Sequence, residues 1–412
     1  MNITRFICNA RTVYTIANVE ALEWLTARPL LHGVFLNSKQ NSITLHDYGN
    51  EDRWRGPETL YGWIQGRGLE ALVRHARFIE PDRPALAARL YNIAWPLYSA
   101  LAKLYMQHGQ AYFSYDSNLE PVCRDLNGDP LPQRPTPGYY TFSDIFVVKG
   151  LIAASYKFDY ATTITWVGIL LQIVEAVEQN HFLFEERVLL APEVINGAND
   201  YASRMILIGA AALLRELGFE KEAAFGNRFI NYVLRHHVQA GEDPKGIGIV
   251  RNVPDGDRFN PGHAIEFAGF SLQYLPRNAN QNLVNKLEQI ITRSFHRGFQ
   301  SKGISLSVSV SGNQRSSTYY PWWSLPETIR AAALAFSRTG QQATLKVWKK
   351  AHDAFFAHYW RNQPPIAYQT ISQDGPIDYV PATPDLDPSY HTGLSFLGAI
   401  RAIDVLTAQH PQ

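Results

Sequence analysis

Cysteine, charge and long apolar runs are all scarce in this sequence of 412 residues. The two cysteines, Cys8 and Cys123, cannot build a disulfide framework and lack the spacing of a metal site. Charged residues make up 18 % and the net charge is +1, without the basic stripe that nucleic-acid binding needs. The N-terminal "MNITRFICNARTV" predicts no signal peptide, and the apolar "TTITWVGILLQIVEAV" is too short and too soon interrupted to predict a membrane span. We therefore expect a reduced, cytoplasmic protein that binds neither nucleic acid nor membrane.

The sequence also lacks the common motifs for nucleotides, cofactors and metals. It contains no GxxxxGK[ST] and no convincing GxGxxG, so neither a P-loop nor a Rossmann site is predicted. No cluster of Cys, His and carboxylate residues has the spacing of metal ligands. We therefore expect an activity that needs neither a cofactor nor a metal.

Apolar and aromatic residues, by contrast, are plentiful. Hydrophobic residues make up 46 %, which provides for a large core and argues against disorder. Aromatic residues make up 12 %, with nine Trp and 21 Tyr. Sugar sites use flat aromatic faces, but an aromatic-rich core would explain this composition equally well.

Apolar spacing and capping signals predict twelve helices without βαβ alternation. Short strand-like segments lie between them, and "AYFSYDSNLEPVC" is predicted as a hairpin that turns at "DSN". No linker or low-complexity segment divides the chain, so a single domain is predicted over 1–412. Six helical hairpins closed into a ring would have this pattern, and so would an open helical solenoid. The helices are predicted to begin near Asn18, Thr59, Pro84, Tyr140, Tyr160, Asp200, Glu220, Pro261, Gln281, Ser324, Gln342 and Ser389.

Three predicted helices begin with a proline-containing cap and carry His or Glu in the first turn. In "FNPGHAIEFAGF", His263 and Glu266 are three apart and share a helical face. In "YYPWWSLPETIRAAALAF", Trp323 precedes a helix and Glu327 lies in its first turn. In "LDPSYHTG", His391 lies in the first turn of the last helix. Helix N-termini carry partial positive charge, which favours anionic intermediates nearby.

Two further segments carry candidate binding residues, and most candidates also have a plain structural explanation. Trp63 and Arg67 share one face of a predicted helix, where packing with a snorkelling cation would explain them. Tyr112 is predicted on a hairpin strand, where it could be a core residue. Ser324 and Glu327 match the S-x-x-E capping box, which would give Glu327 a local role only.

Taken together, "NPGHAIEFA", "WWSLPETIRAA" and "SYHTG" resemble the N-acylglucosamine 2-epimerase superfamily in order and spacing. That superfamily includes cellobiose 2-epimerase and the mannose and sulfoquinovose aldose–ketose isomerases. The resemblance extends to W-x-x-x-R and "YFSYD" and covers nearly the whole chain. It implies an all-α (α/α)6 barrel of about twelve helices with short β-hairpins in the loops. It also implies that His263 and His391 are the acid/base pair, that Glu266 and Glu327 assist them, and that Arg67, Tyr112, Trp323 and Trp63 line the sugar site.

Two departures from the family pattern bear on the substrate. Related isomerases carry Asn-x-x-x-His in the middle of the chain, whereas Asn199 is followed four residues later by Ser203. The segment before the GH motif is shorter here, and Arg258 is a candidate for an arginine that some isomerases use. These differences put the identity of the sugar in question more than the type of reaction.

The implied reaction is inversion of C2 of an open-chain aldose through an enediolate. Imidazole has a pKa near operating pH, so one histidine can remove the C2 proton while the other returns it from the opposite face. Return of the proton to C1 would give a ketose, so an aldose–ketose isomerase is the alternative on the same residues. Arg67 could stabilise the oxyanion.

Two other classes of function stay open from the sequence. Inverting glycoside hydrolases also use (α/α)6 barrels, and Glu266 and Glu327 could be their two carboxylates. A helical ring could also serve as a non-catalytic interaction protein. The expected partner is a monosaccharide or disaccharide substrate, and the sequence leaves a homodimer open.

Overall fold

The computed structural model describes residues 3–125, 128–133, 136–186, 199–240, 247–311, 317–380 and 382–409. Within these ranges the chain forms twelve α-helices joined by loops and short strands. The helices are α1 Ile3–Ala27, α2 Gly62–Ile79, α3 Pro84–His108, α4 Phe142–Phe158, α5 Tyr160–Glu178, α6 Ala202–Glu216, α7 Phe225–His236, α8 Pro261–Tyr274, α9 Gln281–Gly298, α10 Ser324–Thr339, α11 Gln342–His358 and α12 Ser395–Gln409.

The described strands are two to four residues long and lie in the connections between helices. The strands are β1 Leu60–Tyr61, β2 Ser114–Tyr115, β3 Pro121–Arg124, β4 Pro130–Pro132, β5 Tyr140–Thr141, β6 Phe182–Leu183, β7 Val238–Ala240, β8 Ile247–Val250, β9 Arg258–Phe259, β10 Val308–Ser309, β11 Tyr320–Pro321, β12 Trp360–Asn362, β13 Pro365–Ala367 and β14 Thr370–Ile371. One sheet has four antiparallel strands in the order β1-β2-β3-β4, and the other described strands form five pairs, of which β5 and β6 are parallel.

The helix starts follow the capping signals closely, with one exception. Pro84, Tyr160, Pro261, Gln281, Ser324 and Gln342 are all first residues of helices, as predicted. The prediction of a start near Asn18 is wrong, because α1 already begins at Ile3. Its first half alternates buried residues such as Phe6 and Tyr14 with exposed arginines, so its apolar spacing is interrupted.

The predicted hairpin is confirmed. β2 and β3 pair antiparallel with Ser114 opposite Val122. Asp116 closes the turn, because its carboxylate accepts hydrogen bonds from the backbone N–H groups of Asn118 and Glu120 at 2.8 and 2.9 Å. An acidic side chain that bonds to the backbone two residues on is a typical turn signal.

The described chain divides into two compact units. The first unit contains Met1–Ala21, Asp200–Pro381 and His391–Gln412, and the second contains Leu22–Asn199 and Ala382–Tyr390. Both units are therefore assembled from segments that are distant in the sequence.

In the second unit, α2 and α4 touch backbone to backbone through glycines. A Cβ atom at Gly66 would lie 2.7 Å from the carbonyl carbon of Phe146, and one at Gly150 would lie 2.5 Å from the carbonyl oxygen of Gly66. Both distances are too short for a real Cβ contact. The approach of the two helices thus depends on the absence of side chains at these positions.

Gly150→Ala is therefore expected to lower the free energy of unfolding by about 1–3 kcal/mol, as overpacking does. The matched control is Gly168→Ala on α5, where a Cβ would meet nothing within 4 Å. Alanine is favoured over glycine in a helix by roughly 0.5–1 kcal/mol, so the control should be neutral or stabilising. Urea unfolding of both variants measures the difference, and equal stabilities would show that the helices can move apart without cost.

One helix of the described chain, α5, is long and apolar enough to cross a membrane by length and composition. Its 19 residues are more than the sequence analysis predicted, so length alone does not exclude a span. Eight of its side chains, Trp166 and Leu170 among them, are buried within the protein. Burial of this kind is typical of a core helix, which passes the same test.

In the first unit, α1 packs against the end of the chain through Tyr14. The buried phenol oxygen accepts a hydrogen bond from Trp348 Nε1 at 2.9 Å and lies 3.0 Å from His352 Nδ1. Its ring stacks on Phe396 with the centroids 4.6 Å apart. The N-terminal helix is thus held by α11 and α12.

Candidate active site

His263 lies in the first turn of α8, where the sequence predicts it. The Asn260 side chain caps the helix by accepting a hydrogen bond from the His263 N–H at 3.1 Å. Gly262 has no room for a side chain, because a Cβ there would lie 2.7 Å from the indole of Trp323. As a result, the His263 and Trp323 rings lie with their centroids 5.2 Å apart.

His391 contacts the same tryptophan. The centroids of the His391 and Trp323 rings are 5.9 Å apart, and His391 belongs to a π-helical turn, Tyr390–Leu394, that leads into α12. Asn18 holds this turn by donating a hydrogen bond to the Gly393 carbonyl at 3.1 Å. One indole thus has both predicted acid/base histidines as neighbours within the first unit.

The carboxylate of Glu327 connects His391 to a buried arginine. Glu327 Oε1 lies 3.0 Å from His391 Nδ1, and its other oxygen forms an ion pair with Arg330 one turn along α10. The capping-box explanation of Glu327 is wrong, because Trp323 is the N-cap and makes no side-chain cap bond. Ser324 instead donates its hydroxyl to the Pro321 carbonyl at 2.9 Å.

Glu266 completes a compact buried group with Glu327 and His391. Potential ligand atoms of the three side chains all lie within 4.8 Å of one another. Three such side chains could in principle hold a divalent cation. Arg330 neutralises one Glu327 oxygen, and the other lies beside His391 Nδ1.

The two histidines lie in different electrostatic environments. Burial, together with the positive charge of His391, lowers the pKa of His263 to about 4, so His263 is neutral at neutral pH. Burial alone would raise the pKa of the Glu327 carboxyl, but Arg330 and His391 outweigh it and hold this pKa below its usual value. An ionised Glu327 favours the protonated form of His391. Of the two histidines, His391 is the one in contact with this carboxylate.

Trp63 and Arg67 lie on one face of α2 in the second unit, as predicted. The Arg67 guanidinium lies 5.0 Å from the centroid of the Trp63 ring, 3.9 Å from that of Phe146 and 5.5 Å from that of Tyr390. Trp63 Nε1 donates to the carboxylate of Glu186 at 2.7 Å. Arg67 is thus held among aromatic rings, where a cation interacts favourably.

Tyr112 is buried in the second unit, but it precedes strand β2 rather than lying on it. Its backbone N–H donates to the Tyr115 hydroxyl at 3.0 Å. Burial, with a smaller effect from Asp144, raises the pKa of Tyr112 to about 12. The phenol therefore stays protonated at neutral pH.

The sequence analysis did not identify Glu186 or Arg330. Glu186 lies 123 positions from Trp63, and no local pattern connects the two. Burial raises the pKa of Glu186 to about 7, against hydrogen bonds from Ser143 and Trp63 that lower it. Arg330 could have been identified from the sequence, because it follows Glu327 at the three-residue spacing that places side chains on one helical face.

Comparisons with known proteins agree with this arrangement. A sequence model of the N-acylglucosamine 2-epimerase (GlcNAc 2-epimerase) family matches residues 208–393. N-acylglucosamine 2-epimerase of Mus musculus is 22 % identical over 228 residues, which cover 50 % of this chain. The match covers 53 % of the mouse enzyme, so the chain spans about half the length of this curated relative.

Solved structures extend the similarity to nearly the whole chain. Cellobiose 2-epimerase from Spirochaeta thermophila has a TM-score of 0.70 at 13 % identity, covering 98 % of this chain and 99 % of that one. A D-mannose isomerase has a TM-score of 0.72 at 11 % identity, covering 95 % and 97 %. At such identities the likeness concerns the fold. The predicted all-α, (α/α)6-barrel fold class is therefore confirmed, and so is the resemblance of this chain to the N-acylglucosamine 2-epimerase superfamily.

Proposed function

We propose that this protein is an isomerase that inverts C2 of an aldose by proton transfer between two histidines. The observation that carries the proposal is the placement of His263 and His391 beside one indole, with Glu327 bound to only one of them. Two imidazoles in unlike charge states provide a base and an acid at the same time, as proton removal and return require.

We assign the two roles from these different environments. His263 is neutral and can accept the C2 proton of a bound open-chain aldose. The C–H electron pair then moves toward the carbonyl and gives an enediolate. His391, protonated and held by Glu327, returns a proton to C2 from the opposite face. For the epimeric substrate the two roles are exchanged, because the same steps run backwards.

The paired carboxylates support this reaction better than hydrolysis. An inverting glycoside hydrolase needs its two carboxyl groups about 6.5–9.5 Å apart, with a water molecule between them. Oxygens of Glu266 and Glu327 lie within 4.8 Å of one another, and Glu327 is already engaged by His391 and Arg330. We propose Glu266 and Glu327 as carboxylates that stabilise the acid histidine.

Sugar binding by Arg67, Tyr112, Trp63 and Trp323 is proposed from the family resemblance. The substrate is a monosaccharide or disaccharide, and an aldose–ketose isomerase on the same residues is the second candidate. It differs only in returning the proton to C1.

Incubation with a panel of aldoses in deuterated water, followed by NMR of the products, tests the proposal. We expect the C2 epimer with solvent deuterium at C2, and activity that survives exhaustive chelation. A ketose with deuterium at C1 would favour the isomerase. Hydrolysis of a glycoside to a reducing sugar, or no exchange with any aldose, would contradict the proposal.

A further inference from the structure

Arg330 is a buried cation to which the proposed proton transfer gives no role. Its side chain is about 4 % exposed and forms an ion pair with Glu327. The guanidinium lies over the ring of Phe270, 4.1 Å from its centroid. Burial of a permanent charge is costly unless the charge is paired, so this position calls for an explanation.

One glycine provides space that Arg330 occupies. A Cβ at Gly398 on α12 would lie 3.0 Å from Arg330 Cγ, whereas one at Gly269 on α8 would be in ordinary contact with Arg330 Nε at 3.6 Å. A side chain at Gly398 would press on the aliphatic part of the arginine. Residues from three helices thus define where the guanidinium lies.

The charges around Glu327 balance only if Arg330 is counted. The side chains that act on Glu327 are Arg330 on its own helix, His391 and Ser395 on the segment entering α12, and the neighbouring Glu266 on α8. Two carboxylates face one arginine, which is always charged, and one histidine, which can carry a proton. Loss of Arg330 would leave Glu327 without the cation that pairs with its second oxygen.

We propose that Arg330 is a positioning residue for the acid/base pair. It keeps Glu327 ionised, so that Glu327 holds His391 with a proton on Nδ1 and leaves Nε2 to exchange protons with the substrate. The proposal rests on the proposed function only in giving His391 a catalytic role, because the effect on Glu327 itself can be measured without substrate.

The direct test compares titration of Glu327 in the wild type and in Arg330→Met. Carboxyl-labelled glutamate gives a 13C NMR signal for each residue, and the signal of Glu327 is identified by its loss in Glu327→Gln. An opposite charge within about 4–6 Å lowers a carboxyl pKa by about 1–3 units. The midpoint of the Glu327 titration should therefore rise by about that amount in Arg330→Met. An unchanged midpoint would overturn the proposal.

Arg338 offers a matched control on the same helix. Its guanidinium also donates hydrogen bonds within the protein, but the acceptors are the backbone carbonyls of Pro276, Leu272 and Leu275 rather than a carboxylate. Arg338→Met should lose stability without moving the Glu327 midpoint. Arg330→Lys keeps the positive charge, so its Glu327 titration midpoint should stay close to that of the wild type. This variant distinguishes the effect of the charge from that of the packing of the side chain.

Activity gives the second measurement. The acidic limb of the kcat profile of Arg330→Met should move to higher pH by the same amount, with KM little changed, while Arg338→Met should keep the wild-type profile. If the wild type turned over no aldose, the proposed function would fail while the NMR result still decided the role of Arg330. A midpoint that moved without a change in the profile of an active enzyme would overturn the positioning role.

Discussion

His263→Ala and His391→Ala are each expected to lower kcat by about 10²-fold or more, the usual loss when a general acid or base is removed. Both imidazoles lie against Trp323 and act as one unit in the proposed reaction. Residues that act as a unit are not additive, so the double variant should be scarcely worse than either single one. The measurement is steady-state turnover of the aldose found active in the exchange assay.

Isotope exchange distinguishes the two histidines. For the substrate whose C2 proton is removed by His263, His391→Ala keeps the base and should release that proton to solvent without forming the epimer. His263→Ala should give neither exchange nor product. An exposed histidine, His296 on α9, serves as control, and His296→Ala should keep wild-type turnover. Near-wild-type activity in either active-site variant would contradict the two-histidine mechanism.

Glu327→Leu is expected to be the most damaging single change to stability. It leaves the Arg330 guanidinium buried without its carboxylate, and loss of one partner of a buried ion pair costs about 3–5 kcal/mol. The double variant Glu327→Leu/Arg330→Leu removes both charges and should recover most of the lost stability, because apolar replacement of a buried pair is often neutral. Activity should stay lost in both, because His391 has lost the carboxylate at its Nδ1.

Urea unfolding of these variants measures the change in stability, and kcat separately measures the change in turnover. The exposed pair Arg11–Asp404, with side chains 46 % and 40 % exposed, is the control. Its removal should cost at most about 1 kcal/mol, as for surface ion pairs. A double variant with restored turnover would show that Glu327 is dispensable for the chemistry.

The sequence predicted those parts of the structure that local chemistry determines. Asn260 before Pro261 is a capping signal within four residues of His263, and the structure follows it. The start of α1 was missed because exposed polar residues interrupt its apolar face. The packing of this helix on distant residues such as Trp348 and Phe396 could not be predicted from its own sequence.

The same distinction applies to the site. The histidines and their tryptophan could be named because each lies in a helix start with a recognisable motif. The capping-box explanation of Glu327 could not be rejected from the sequence, because His391 is 64 positions away. Likewise, the sequence could not identify Glu186 as the carboxylate that binds Trp63, because the two residues are 123 positions apart.

The contact between Tyr14 and the last helices has a consequence for the order of events during synthesis. The hydrogen-bond donor Trp348 and the stacking partner Phe396 leave the ribosome more than 300 residues after Tyr14. Until then Tyr14 lacks these two native partners, and apolar surface exposed during synthesis is the condition that recruits chaperones. The long interval also raises the entropic cost of forming these contacts, because loop-closure entropy grows with the length of the loop. In a growing chain, α1 is therefore made before the other described helices, while its contacts with Trp348 and Phe396 form only after those residues are made.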